Sequence, residues 1–327
     1  MSRFHTGAPK GRDVTSARRS APLIVGTIMR ETPEVTMRFI AWYLVQGADR
    51  VCILFDNPDD PAIAMVQDHP QVDCIRCTPE FWRELELTPG DRFTRRQNHA
   101  MTWLYRQCRE GWFLNVDADE YVWLDGRSLR EELETLPDVV RGVRILTAER
   151  IQTPGLPGHH FRLQTFGAGR AKVYGPEGNP LIRRSGMIGH HIGKAVTRAG
   201  IKGAFLRQHW ADGPGGERLQ DLSLGRKEGA YLLHFHDAGY ETWRAKLDWR
   251  LASSGFRDIA VEALTKLRDA PDGEAGMRAL YDHACLFDLE RLEELEQVGA
   301  HLGLDFDFDV LVEAAFAPRS EPARRVA

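Results

Sequence analysis

The chain has 327 residues, 43% hydrophobic and 28% charged, the balance of a globular protein with a sizeable core. Lys plus Arg number 43 against 47 Asp plus Glu, a net charge of −4. No whole-molecule field draws nucleic acid or an anionic membrane, so any anion site must be local.

Residues 1–20 place Arg3, Lys10, Arg12, Arg18 and Arg19 among Gly, Ser and Pro without an apolar stretch. They read as a disordered basic tail rather than a signal peptide. No later segment approaches the roughly 18 consecutive apolar residues of a membrane span. A cytoplasmic protein is expected, its tail able to touch an anionic surface weakly. The five cysteines are odd in number and scattered, which fits a reducing compartment. Cys74 and Cys77 form a CxxC with no second pair, and read as ordinary thiols rather than a zinc site.

Leu23 to Met29 (LIVGTIM) is a strand covered on both faces, followed by a helix opening at Pro33 and stopping near Gly47. Strands at VCILF and Val72 to Cys77 flank a short helix near Ala62 to Gln67. This β-α-β-α-β order predicts a parallel sheet. A longer helix over Thr94 to Arg109 leads into the strand WFLNV, which halts at Asp117-Ala118-Asp119-Glu120. After a helix near Ser128 to Leu136 and a strand in VVRGVRIL, residues 150–215 are rich in Gly, Pro and bases and read as long loops. YLLHFH, Tyr231 to His236, is a further strand with His234 and His236 on one face. Residues 240–316 are helical in pattern, and 317–327 form a second tail.

Asn115 to Trp123 (NVDADEYVW) puts three carboxylates within four residues after an apolar strand, at the strand end where ligands gather in open parallel sheets. Taken alone, a DxD is an ordinary polar turn. In extended backbone Asp117 and Asp119 would share a side and meet one hard divalent ion, Mn2+ or Mg2+, with Glu120 beside them.

The segments IVGTIMRE, ILFDN, RRQNHA and WFLNVDADEYV together resemble glycosyltransferase family 2, its bacterial branch with a DxDE motif, and LLHFHDAGYETWRAKL matches more loosely. The resemblance runs from about Leu23 to Arg250. It implies an α/β fold of GT-A type, a Rossmann-like, mostly parallel sheet flanked by helices, with a C-terminal helical extension. Residues 21–239 would be the transferase domain, its nucleotide-sugar half over about 21–125 and its acceptor half over about 126–239. The implied activity is metal-dependent transfer of a sugar from a UDP- or GDP-linked donor to a glycan or other hydroxyl, with inversion. No nucleic-acid partner or integral membrane segment is expected.

Carried over by position, Arg30, Glu31 and Asp56 would meet the nucleoside, and Gln97, Asn98 and Lys246 the donor's remaining polar groups. His234 would join Asp117 and Asp119 on the metal, with His209 the next choice. Asp56-Asn57-Pro58 departs from the commoner DDGS signature, which leaves the nucleobase open. Arg95 and Arg96 suit either a phosphate or solvent. The acceptor's general base lies among Glu149, Asp212 and Asp237. Two alternatives stand beside this reading. A nucleotidyltransferase would need a Gly-rich basic loop where Thr27 to Glu31 stands, and a non-catalytic carbohydrate-binding protein would not need the intact acids.

Overall fold

The computed structural model describes residues 21–189, 191–252 and 256–317. The basic tail expected over 1–20, the last ten residues and His190 lie outside the described residues.

The first strand, β1 (Leu23–Met29), is buried along almost its whole length. Helix α1 (Pro33–Val45) follows, opened by Thr32, whose hydroxyl accepts from the Val35 N–H, and by Pro33 in its first turn. Next come β2 (Arg50–Phe55), α2 (Ala62–Val66), β3 (Val72–Arg76), α3 (Pro79–Glu84), α4 (Phe93–Gln107) and β4 (Trp112–Asn115). β3, β2, β1 and β4 lie side by side and parallel. On β2 the period of two is plain: Val51, Ile53 and Phe55 face one core, while Cys52 and Leu54 face the other. Gly26 permits the close β1–β4 contact, because a Cβ there would stand 2.6 Å from the Phe113 ring.

The second half holds β5 (Glu120–Leu124), α5 (Leu129–Glu134), β6 (Gly142–Ile145), β7 (Thr147–Ile151), β8 (His159–Arg162), α6 (Gly167–Tyr174) and β9 (Lys194–Arg198). Short strands β10 (Phe205–Leu206), β11 (Ala211–Asp212), β12 (Arg218–Leu219) and β13 (Leu222–Leu224) precede β14 (Ala230–His234). The larger sheet runs β13-β6-β9-β4-β1-β2-β3, parallel except where β9 is inserted between β4 and β6. The stretch expected as loops therefore supplies a central strand.

Helices α7 (Tyr240–Ala245), α8 (Leu247–Ala252), α9 (Asp258–Arg268), α10 (Gly273–Cys285) and α11 (Leu289–Gln297) lead to β15 (His301–Leu304) and α12 (Phe308–Phe316). The region read as a helical extension is built into the fold. β15 pairs with β8 at the edge of a second sheet, β15-β8-β7-β14-β5, and Trp42 of α1 packs against Phe306 and Phe308. Its apolar periodicity concealed one strand of four residues. Among the described residues no helix is long and apolar enough to cross a membrane.

Candidate functional site

Parallel pairing carries the carboxyl ends of β1, β2 and β4 to one edge. Arg30 and Glu31 follow β1, Asp56 follows β2, and the DxDE segment follows β4. That segment is a turn rather than an extended run: the Glu120 N–H donates to the Asp117 carbonyl at 3.1 Å. The turn sends the two aspartates to different partners.

Asp117 accepts from Gln97 Nε2 at 2.5 Å on one oxygen and from Lys194 Nζ at 2.8 Å on the other. The Lys194 ammonium, fully buried at the start of β9, also lies 3.3 Å from Glu120. Burial alone would raise the Asp117 carboxyl, yet Lys194 and Gln97 hold it below its ordinary range. Burial dominates at Glu120, 1% exposed, and raises it despite Lys194. Its carboxylate also caps the turn by accepting from the Asp117 N–H at 2.9 Å.

Asp119 points elsewhere. Its side chain is 46% exposed, and Oδ2 lies 3.5 Å from His234 Nε2. Burial would raise Asp119, but His234 and then His236 outweigh it and bring the carboxyl down to about 2. Burial would lower His234, and Asp119 reverses this, raising the imidazole to about 9. The acidic cluster is thus met by basic side chains of the chain itself, Lys194 beside Asp117 and Glu120, and His234 beside Asp119.

Asp119 opens into a cavity of about 760 Å³ shared with Glu31, His236, Asp237, Lys246 and Arg250 on one side and Phe306 to Asp309 on another. Glu31 is raised from the ordinary carboxylate value by burial and by nearby Asp119, with Lys246 opposing. The structure therefore brings together Glu31, Asp119, Asp237 and Lys246, four residues chosen from sequence on separate segments.

Others are placed differently. Asp56 is held by both guanidinium nitrogens of Arg96, whose side chain is 10% exposed and stacks 5.0 Å from the Trp82 ring. Arg96 is accordingly neither solvated nor open to a phosphate. Arg95 is exposed and pairs with Asp91. Arg30 is exposed, and the half-buried Asn98 keeps its Oδ1 without a hydrogen bond. Asp212 lies on β11, receives Arg207 and Trp210, and does not line the cavity. His209 sits near Asn115 and Thr197 in a smaller hollow, its Nδ1 3.1 Å from the Gly193 carbonyl. Asp237 is buried, and both its oxygens lie 2.8 Å from the Tyr281 hydroxyl.

Glu149 is fully buried. It accepts from Arg162 Nε at 2.7 Å, from the Ile188 N–H at 2.8 Å and from the Gly189 N–H at 2.6 Å. A carboxylate so engaged is a poor proton acceptor. All five cysteines are free, and Cys74 and Cys77 are ordinary thiols raised chiefly by burial.

Sequence reasoning passed over Lys194 and Arg162. The one available signal was the short apolar and β-branched stretch Ala195 to Thr197 in KAVTR, too short to separate from the glycine-rich run around it.

No family model matches the chain, and no curated protein matches it. Among solved structures, HddC from Yersinia pseudotuberculosis aligns over 65% of this chain and 76% of that one, at 10% identity and a TM-score of 0.26. A likeness that slight carries no argument about fold or activity.

Proposed function

We propose that the protein is a GT-A-type glycosyltransferase resembling family 2, taking a nucleotide-diphosphate sugar with a divalent ion, Mn2+ or Mg2+, and a hydroxyl acceptor. The observation that carries this reading is the asymmetry of the DxDE turn. A single Lys194 ammonium stands between Asp117 and Glu120 away from the cavity, whereas Asp119, beside His234, is half exposed at a parallel-strand end and faces a cavity large enough for a sugar nucleotide.

The donor set suits an ion at Asp119 better than at Asp117. Both Asp117 oxygens receive side-chain donors and neither lines the cavity, whereas Asp119 is the more exposed of the two and opens into it. When bound, the ion would stabilise the negative charge that develops on the departing diphosphate. Lys246 lines the same cavity and adds positive charge there. Gln97 orients Asp117, so its role is to hold the turn rather than to touch the donor.

Inverting transfer needs a base for the acceptor hydroxyl. Glu149 is held by Arg162 and two backbone N–H groups and does not line the cavity, Asp212 is outside it as well, and Asp237 is tied to Tyr281. Glu31 lines the cavity and its raised pKa moves it toward the working range of a general base, so the proton is assigned to it. Incubation with UDP-, GDP-, CMP- and dTDP-sugars, each with Mn2+ and with EDTA, tests the reading. Release of nucleoside diphosphate from at least one donor, only with metal and only with Asp119 intact, is expected. A panel inert throughout, or turnover unchanged in Asp119→Ala, would defeat it.

A further inference from the structure

On the far side of the His234 ring from Asp119 lies a second group of ligand-bearing side chains. Strand pairing builds it: β14 runs between β5 and β7, and the register sets His234 opposite Glu120 on one side and Glu149 on the other. His236 follows two residues later with its ring centroid 5.3 Å from that of His234. One ligand atom from each of Glu149, His234 and His236 falls within 4.8 Å of the other two.

Three observations show that this group lacks a partner. Both ring nitrogens of His236 and the Nδ1 of His234 are buried without a hydrogen bond, which is costly for imidazoles in a protein interior. Glu149 Oε1 accepts only the Gly189 N–H, while Oε2 takes both Arg162 and Ile188. Finally, a residue without a side chain stands against the carboxylate and the ring. A Cβ on Gly189 would lie 2.8 Å from Glu149 Oε1 and 3.9 Å from His234 Nδ1.

We infer that Glu149, His234 and His236 form a binding site for a first-row transition-metal cation, separate from any ion that Asp119 holds for a diphosphate. Two imidazoles and one carboxylate are a donor set for Zn2+, Co2+ or Fe2+ and a poor one for Mg2+, which demands oxygen. Sequence reasoning gave His234 to the ion of the DxD motif. The geometry gives it a different role, in which Nε2 carries the proton toward Asp119, fixing the tautomer and presenting Nδ1 to the metal. Asp119 then orients a ligand of this site through its inner oxygen. The inference stands on these residues alone and holds whether or not the protein transfers sugar.

The test uses full-length protein stripped with EDTA and dialysed, without nucleotide, against Zn2+, Co2+ and Mg2+. One equivalent of Zn2+ or Co2+ should be retained and Mg2+ should not, with Co2+ giving a visible absorption spectrum of nitrogen and oxygen ligation. His236→Ala should weaken Zn2+ binding more than about tenfold. Gly189→Ala keeps every ligand but presses its Cβ on Glu149 Oε1, and should weaken binding comparably. Melting curves of the metal-free variants identify any that fail to fold, and the other variant then decides. Asp119→Asn should still bind Zn2+, with about a tenfold loss expected of an orienting group. Absence of Zn2+ and Co2+ from the wild type would overturn the inference, as would wild-type affinity in folded His236→Ala and Gly189→Ala.

Discussion

Lys194 Nζ lies 2.8 Å from Asp117 Oδ2, joining the first residue of an inserted antiparallel strand to the first acid of the DxDE turn. The ammonium is fully buried and also lies 3.3 Å from Glu120, so one positive charge serves two of the three clustered carboxylates. Close acids repel, and a divalent ion is one remedy. Here the chain sets Lys194 beside Asp117 and Glu120 and His234 beside Asp119, and of the three acids it is Asp119 that lines the cavity.

Lys194→Met should therefore destabilise the protein while leaving the cavity's shape intact. Breaking a buried pair costs about 3–5 kcal/mol, and the lower end applies because Asp117 is 37% exposed. Urea unfolding at neutral pH measures it. A loss under about 1 kcal/mol would mean that water or the backbone satisfies these acids without the lysine.

Glu31→Gln tests the assignment of the base. The amide preserves size and polarity but cannot take a proton, so kcat should fall by about 10²–10⁴-fold with the donor's affinity little changed. An unaltered kcat would return the role to Asp237.

Acid should unfold the metal-free protein partly through Glu149. Burial pushes this carboxyl up, but His236, Arg162 and the Ile188 and Gly189 N–H groups outweigh it and bring it down to about 2. A carboxyl depressed on folding stabilises the native state above its unfolded value and loses that contribution as pH falls through the folded one. The window runs from about pH 5 down to pH 2, with on the order of 3 kcal/mol at stake. Glu149→Gln should be less stable at pH 7 and show a flatter acid limb in denaturant titrations. Parallel limbs for the two proteins would contradict this.

A chain ending at Gly239 should not fold. It would lack β15, the edge partner of β8, and the Phe306 and Phe308 rings that pack against Trp42. It would also lack Tyr281, whose hydroxyl serves buried Asp237. A cooperative melt from that truncation would show the last third to be a separate unit.

The parallel strands were legible in the sequence because each is a continuous apolar run, and β1 matches its expected bounds to the residue. Asp119, Glu31 and Lys246 were legible as strand-end or helix-start residues, and they do meet in one cavity. The partners of Asp117 were not. Lys194 lies far along the chain in a five-residue strand with a lysine and an arginine at its ends, which carries no local mark of burial. Glu149 was visible as an acid, but its neighbours arise from the pairing of β7 with β14, a long-range register that periodicity does not encode. The DxDE turn reversed one expectation for a local reason: the Asp117–Glu120 hydrogen bond curls the backbone and parts two side chains that an extended strand would align.

Calorimetry of donor binding tests the proposal that Asp119 faces an ion carrying a nucleotide diphosphate. Titrating UDP- and GDP-sugars into wild type should give binding with Mn2+ and little in EDTA, because an uncompensated diphosphate meets the Asp119 and Glu31 carboxylates. Asp119→Ala should lose at least tenfold in affinity with Mn2+ present while still melting cooperatively, since its half-exposed side chain is not part of the core. Equal affinity in EDTA and Mn2+, or an Asp119→Ala variant that binds donor as the wild type does, would contradict the account.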